Sequence, residues 1–141
     1  MKCAPLFLCF TLSFLSFKSF AQVDTAAPLR KIYVLRPAQY VGALVKIKVD
    51  VNGKTVFLPN DSYAVMEIRA DSVILQIANA RVSGESIRPL VTFKDTSYFV
   101  TLPERHAHKK DRLILTEVDQ ESYDKYASKV SRQVTAGAGV Q

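Results

Sequence analysis

From Val45 to Leu58 the chain reads VKIKVDVNGKTVFL, and this stretch does more than any other to limit the fold. Val45, Ile47, Val49 and Val51 alternate with Lys46, Lys48 and Asp50. An extended backbone therefore puts the apolar side chains on one side and the charged ones on the other. Asn52-Gly53 separates this run from Lys54 to Leu58. A two-residue turn between twisted strands takes positive φ at both central positions, which Asn and Gly adopt at least cost. The segment predicts a β-hairpin with one buried and one solvated face.

The same period runs through most of the chain. Lys31 to Arg36 predicts a first strand. Pro59-Asn60-Asp61 is a second turn, because proline cannot donate to a ladder and Asn and Asp tolerate turn dihedrals. Ser62 to Ile68 is the next strand, and Arg69-Ala70-Asp71 turns it into a strand whose inward residues are Val73, Leu75 and Ile77. Asn79 to Glu85 is polar and contains glycine, which predicts a loop. Ile87, Val91 and Phe93 then alternate inward on a strand interrupted by Pro89, favouring an edge or a bulge. Lys94-Asp95-Thr96 leads into Ser97 to Leu102, and a loop over Pro103 to Asp111 leads into Arg112 to Val118.

That makes about eight strands, and the expected fold is mainly β: an antiparallel sandwich or open barrel. Asp119 is a good N-cap, and Tyr123, Tyr126, Ala127 and Val130 fall at i, i+3, i+4 and i+7. One C-terminal amphipathic helix over 119–131 follows, with its tyrosines packed on the sandwich or its edge and not arranged as a ligand cage. The single β-rich domain spans 30–132, between a flexible leader at 22–29 and a disordered tail at 133–141.

The first residues read MKCAPLFLCFTLSFLSFKSFAQ. Lys2 gives a positive start, Leu6 to Phe17 an apolar run, and Ser19-Phe20-Ala21 small residues where a signal peptidase reads. Residues 1–21 are therefore expected to be a secretory signal cut between Ala21 and Gln22. The apolar run falls short of the roughly 20 residues a membrane span requires. Leu8 before Cys9 does not fit a lipoprotein site. Both cysteines, Cys3 and Cys9, lie inside the signal, so the mature chain has neither disulfides nor thiolate ligands. This composition points to the periplasm or the outer side of a bacterial envelope. Loss of Lys2 and Lys18 lowers the net charge from +6 to +4, and the remaining 120 residues form one domain.

Chemistry-bearing motifs are scarce. The sequence contains no Gly-x-Ser-x-Gly elbow, phosphate-cradling glycine loop or His-Glu-x-x-His pattern. The conspicuous cluster is Glu104-Arg105-His106-Ala107-His108-Lys109-Lys110-Asp111-Arg112. His106 and His108 would share one side of an extended segment, as a fragment of a metal site does, but two ligands among four cations make a poor one. Arg105, His106, His108, Lys109, Lys110 and Arg112 fit an anion-binding patch better, and a solvated hairpin tip better still. Lys46 and Lys48 lack the interleaved aromatics of a single-strand binder, and export argues against a nucleic-acid partner. No catalytic, metal or cofactor-binding residue is assigned.

The segment KIYVLRPAQYVGALVKIKVDVNGKTVFLPNDSYAVMEI resembles the start of the uncharacterised exported bacterial family catalogued as domain of unknown function 2846. The likeness lies in Tyr33-Val34-Leu35-Arg36-Pro37, Tyr40-Val41-Gly42, Asn52-Gly53 and Asn60-Asp61-Ser62-Tyr63, and later in Phe93 to Val100 and Thr116-Glu117-Val118. It covers Lys31 to Lys129. Arg69-Ala70-Asp71 departs from the family's Pro-Gly turn. The resemblance implies an exported β-rich domain and supplies no catalytic residue.

These observations favour a non-enzymatic envelope module that binds another envelope protein or an anionic surface, through an exposed sheet edge or the 105–112 loop. The alternatives are an envelope carbohydrate hydrolase, whose carboxylates the fold would assemble, or a metal-binding module. Once the signal is removed, no membrane span is expected. Arg36, leaving the first strand just before Pro37, is expected to hold a loop carbonyl or carboxylate in place.

Overall fold

The computed structural model describes residues 27–40, 43–78, 89–104 and 112–135. The expected signal segment, the leader up to residue 26, the loop at 79–85, Ile87, the residues Arg105, His106, His108, Lys109 and Lys110, and the tail from 136 lie outside these residues.

Each alternating run becomes a strand: β1 (Leu29–Arg36), β2 (Ile47–Val51), β3 (Lys54–Leu58), β4 (Ser62–Arg69), β5 (Val73–Ile77), β6 (Leu90–Thr92), β7 (Thr96–Glu104) and β8 (Arg112–Val118). Helix α1 (Gln120–Ala127) follows, and then a further short strand, β9 (Arg132–Val134). The strands form two sheets, ordered β8-β7-β1-β4-β9 and β3-β2-β5-β6. The fold is mainly β, a sandwich and not a closed barrel. The β2–β3 turn has Asn52 at φ 46° and Gly53 at φ 77°, the pair of positive angles that the Asn-Gly dipeptide predicts. The Asn52 side chain also accepts from Ile74 N at 2.7 Å and donates to Ser72 O at 3.0 Å, tying the hairpin to β5.

Between the sheets lies one apolar core. The larger sheet contributes Ile32, Val34, Ala64, Met66, Ile68, Phe99 and Leu113, and the smaller contributes Ile47, Val49, Val51, Val56, Leu58, Val73, Leu75 and Ile77. Each aliphatic side chain fully buried here contributes roughly 1.5–3 kcal/mol. The opposite face of the larger sheet is apolar as well. Tyr33, Leu35, Tyr98, Val100 and Leu102 project from it, and Tyr123, Tyr126, Ala127 and Val130 cover it. The helix thus docks through its predicted stripe and adds a third layer. Its N-cap is Asp119, whose side chain accepts from Ser122 N at 2.7 Å.

Three features differ from the sequence reading. First, the larger sheet is mixed: β1 pairs parallel to β7, and β4 pairs parallel to β9. β8 and β9 sit on opposite edges and run the same way, so the chain between them must cross the sheet. Four strand spacings come to about 19 Å, and the helix with its flanking residues supplies that crossover. The helix therefore ends at Ala127, short of residue 131, and part of the expected tail is β9. Second, β6 faces the other way. Val73 pairs with Thr92 and Ile74 with Val91, so Thr92 is buried while Val91 and Phe93 are 51% and 71% exposed. Thr92 Oγ1 meets Ser97 Oγ at 2.7 Å inside the sandwich, and this hydroxyl pair replaces the expected apolar contact. Third, Val45 precedes β2 and is exposed, although it continues the alternation.

Each end of β1 carries an inward arginine. Arg36 is fully buried, and its Nη1 donates to Val45 O at 2.6 Å and Leu58 O at 2.8 Å. This is the carbonyl-holding role expected of it. Burial pushes the guanidinium pKa below its ordinary value. Arg30, nearly buried, donates from Nε to Ala70 O at 2.8 Å, from Nη2 to Asp71 O at 2.7 Å and from Nη1 to Phe93 O. Replacing Arg36 by Met leaves two carbonyls at the sandwich end without their donor. Arg36→Met is expected to lose about 2–5 kcal/mol of stability, and urea denaturation of the two proteins measures it.

Candidate functional site

The connections divide between the two ends of the sandwich. At the Arg30 end, 52–53, 70–72 and 93–95 are tight turns. At the Arg36 end, the chain runs between strands over 37–46, 59–61, 78–89 and 105–111. Longer connections presented by a rigid sheet are the usual place for recognition residues.

Two of the connections at this end are held at their bases. Gln39 N donates to Asn60 Oδ1 and Asn60 Nδ2 donates to Gln39 O, both at 3.2 Å. Gln39 Nε2 also reaches Thr101 Oγ1 at 3.4 Å. Asp61 adopts φ 58° and its Oδ2 accepts from Ser131 Oγ at 3.0 Å, joining the β3–β4 turn to the segment entering β9. The Pro59-Asn60-Asp61 turn is thus a brace between layers.

Of the six residues read as an anion patch, the described residues include Arg112 alone. It opens β8 directly opposite Glu104, and its Nε lies 2.5 Å from Glu104 Oε2. A cross-strand ion pair therefore closes the mouth of the β7–β8 hairpin. At the other end of β8, Glu117 accepts from Lys94 Nζ at 2.7 Å. Between these pairs lie Leu113, Ile114, Leu115 and Thr116. Leu113 is fully buried and Leu115 packs against the core.

Among the described residues, β8 has a hydrogen-bonded neighbour on its β7 side only. The other edge strands are shorter: β3, β6 and β9. β8 is therefore the longest open edge, with an apolar centre and an ion pair at each end. Pro103, opposite Leu113, is tolerated in β7 because the β1 pairing stops at Val100.

Among the described residues the buried polar side chains are Arg30, Arg36, Ser62, Thr92, Ser97 and Thr101, and of the acids Asp61 buries one carboxylate oxygen, Oδ1, without a hydrogen-bond partner. The acids have structural partners, such as Thr55 Oγ1 with Asp50 Oδ1 at 2.6 Å and Ser122 N with Asp119. No group of three or more His, Cys, Asp or Glu residues lies together among the described residues.

The tyrosine layer is the other concentration of polar atoms. Tyr33 and Tyr98 stack at 5.0 Å, and Tyr123 meets them at 5.7 and 5.1 Å. The rings pack on one another beneath the helix. The Tyr123 hydroxyl is buried without a hydrogen-bond partner, and burial pushes its pKa well above the ordinary value of 10.0. Tyr123→Phe removes this unpaired hydroxyl and is expected to stabilise the fold by about 1 kcal/mol. The sign with pH follows from the raised pKa. Below 10 the phenol is neutral in both states; above it the unfolded chain ionises first, so stability falls as pH rises. Denaturation at pH 8 and 11 is expected to show a smaller alkaline loss in Tyr123→Phe than in the parent. In comparisons with protein-family models, curated proteins and solved structures, the chain matches none of them.

Proposed function

We propose that the protein is an exported envelope module without catalytic activity, and that it binds another envelope protein by adding that partner's strand to β8. The observation that carries this reading is the open β8 edge. Its backbone groups on the free side have no strand beside them among the described residues, and its centre is apolar. A strand laid against it would gain main-chain hydrogen bonds, with alternate side chains reading the two faces. Natural sheets protect such edges with charge. Here Arg112 and Glu117 mark only the ends, each neutralised within the chain by Glu104 or Lys94.

Export rests on the sequence of residues 1–21, and the likeness to the domain of unknown function 2846 family rests on the motifs between Tyr33 and Val118. No described helix is long and apolar enough to cross a membrane.

A photo-crosslinking side chain at Thr116, on the open edge, tests the reading against one at Gln76, inside the smaller sheet. Irradiation of native envelopes is expected to give one reproducible adduct from position 116 and none from 76. In the isolated complex, hydrogen exchange at the β8 amides is expected to slow by roughly tenfold or more. No adduct, or an adduct with β8 amides exchanging as in the free protein, would count decisively against strand addition.

A further inference from the structure

Tyr33 and Tyr98 stand far apart in the sequence, and the parallel β1–β7 register sets them directly opposite each other. Both side chains leave the larger sheet on the face that the helix covers. Their rings stack with centroids 5.0 Å apart and planes 24° from parallel. Aromatic rings at that separation are in van der Waals contact. The hydroxyl ends gather as well. The Lys31 ammonium is held above its ordinary pKa, first by its hydrogen bond with Tyr33 and then by the charges of Tyr33, Glu67 and Tyr98. One lysine thus senses both phenols.

The chain has no tryptophan, and its cysteines are Cys3 and Cys9. Met66 is buried in the core. Among the described residues, one-electron oxidation therefore falls on tyrosine. Not every tyrosine of the layer can take part. Oxidation of a phenol expels its proton, which needs an acceptor. The Tyr123 hydroxyl is buried and has none. Its ring also meets Tyr33 and Tyr98 at 67° and 45°, away from the stacked arrangement. Tyr33 and Tyr98 are only half-buried, so water can receive their protons. Tyr123 acts as the wall that keeps the other two rings together.

We propose that Tyr33 and Tyr98 are an oxidative crosslinking site, at which hydrogen peroxide, used by a haem peroxidase, joins β1 to β7 through a carbon–carbon bond. Each phenol gives up one electron and its hydroxyl proton. The two phenoxyl radicals then bond through ring carbons next to their oxygens. The hydrogens on those two carbons move to the oxygens, which restores both phenols. The peroxide takes up the two electrons and two protons and leaves as two molecules of water. The bond closes the chain between positions 33 and 98, a stretch that contains β2 to β6. It therefore restrains the unfolded chain as a disulfide does, in a region that has no cysteine. This inference uses none of the β8 edge and stands apart from strand addition.

The test treats dilute full-length protein with hydrogen peroxide and a haem peroxidase, then maps its peptides. The expected product is a monomer lighter by two hydrogen atoms, with dityrosine fluorescence and one crosslinked peptide joining Tyr33 to Tyr98. Tyr33→Phe and Tyr98→Phe keep the rings but remove a phenol, and unfolding the parent in urea removes the preset contact. Each is expected to lower the yield roughly tenfold or more. Tyr40→Phe, which changes the fully exposed tyrosine, and Tyr123→Phe are expected to leave it unchanged. The crosslinked monomer is expected to melt roughly 5 °C or more above the untreated protein. A link that maps to Tyr40, or that joins two chains in place of Tyr33 and Tyr98, overturns the inference. So does an equal yield in urea, or oxygen added to the rings without any link. A melting temperature that fails to rise overturns it too.

Discussion

A guanidinium with no access to water has to direct its donors at acceptors that are themselves being withdrawn from water, and Arg36 does this with two carbonyls from different strand connections. Val45 lies just before β2 and Leu58 ends β3, so one side chain of β1 holds both open ends of the β2–β3 hairpin against the larger sheet. Arg30 does the equivalent work at the other end, gathering the β4–β5 and β6–β7 turns through Ala70, Asp71 and Phe93. Ile32 and Val34 fill the space between them. β1 is thus an apolar strand with a polar clasp at each end. Loss of a clasp would free connections as well as weaken a strand.

The position of β1 also explains the third layer. It is the middle strand of its sheet, with β7 parallel on one side and β4 antiparallel on the other. Its inner face meets the smaller sheet, and Tyr33 and Leu35 on the outer face need a cover. The chain provides one in crossing from β8 to β9, because a connection between parallel strands on opposite edges must pass over a face. One short helix, anchored by Tyr123, therefore serves as both crossover and lid. The ring supplies the packing, and the Tyr123 hydroxyl is buried without a hydrogen-bond partner.

How much of this was legible depends on whether the signal was local. The Asn52-Gly53 hairpin and the β3, β4, β5 and β8 runs could be read because alternation and turn chemistry act over a few residues. The helix stripe could be read for the same reason. The parallel β1–β7 and β4–β9 pairings join strands far apart in sequence, and no periodicity records them. β9 has one apolar residue, Val134, and no pattern to find. Val91 and Phe93 misled because the rule assumes that apolar residues point inward, whereas the Thr92–Ser97 hydroxyl pair and the Val73 register decide the facing of β6. Arg36 announced itself by its place before Pro37, but Arg30 sits in an unremarkable Leu-Arg-Lys run and becomes legible only when three turns converge on it. Of the candidate sites, the β8 strand could be read and its open edge could not.

The two ends of the sandwich therefore differ in kind, for a topological reason. Parallel pairing of β1 and β7 makes both strands leave the sheet at the Arg36 end, and β4, β8 and β9 begin there. At the Arg30 end the turns at 52–53, 70–72 and 93–95 are short, and the helical crossover from β8 also starts there. The chain crosses between the sheets at both ends, through 70–72 and 93–95 at the Arg30 end and through 37–46 and 59–61 at the Arg36 end, and 37–46 is the longest of the four, with Tyr40 and Leu44 on it exposed. Arg36 and the Gln39–Asn60 pair fix the bases of these connections, so their exposed residues project from a rigid end. Rigid display of uncovered apolar side chains lowers the ordering cost of binding. The parallel β1–β7 pair, which no local periodicity records, is what makes both strands leave the sheet at the Arg36 end.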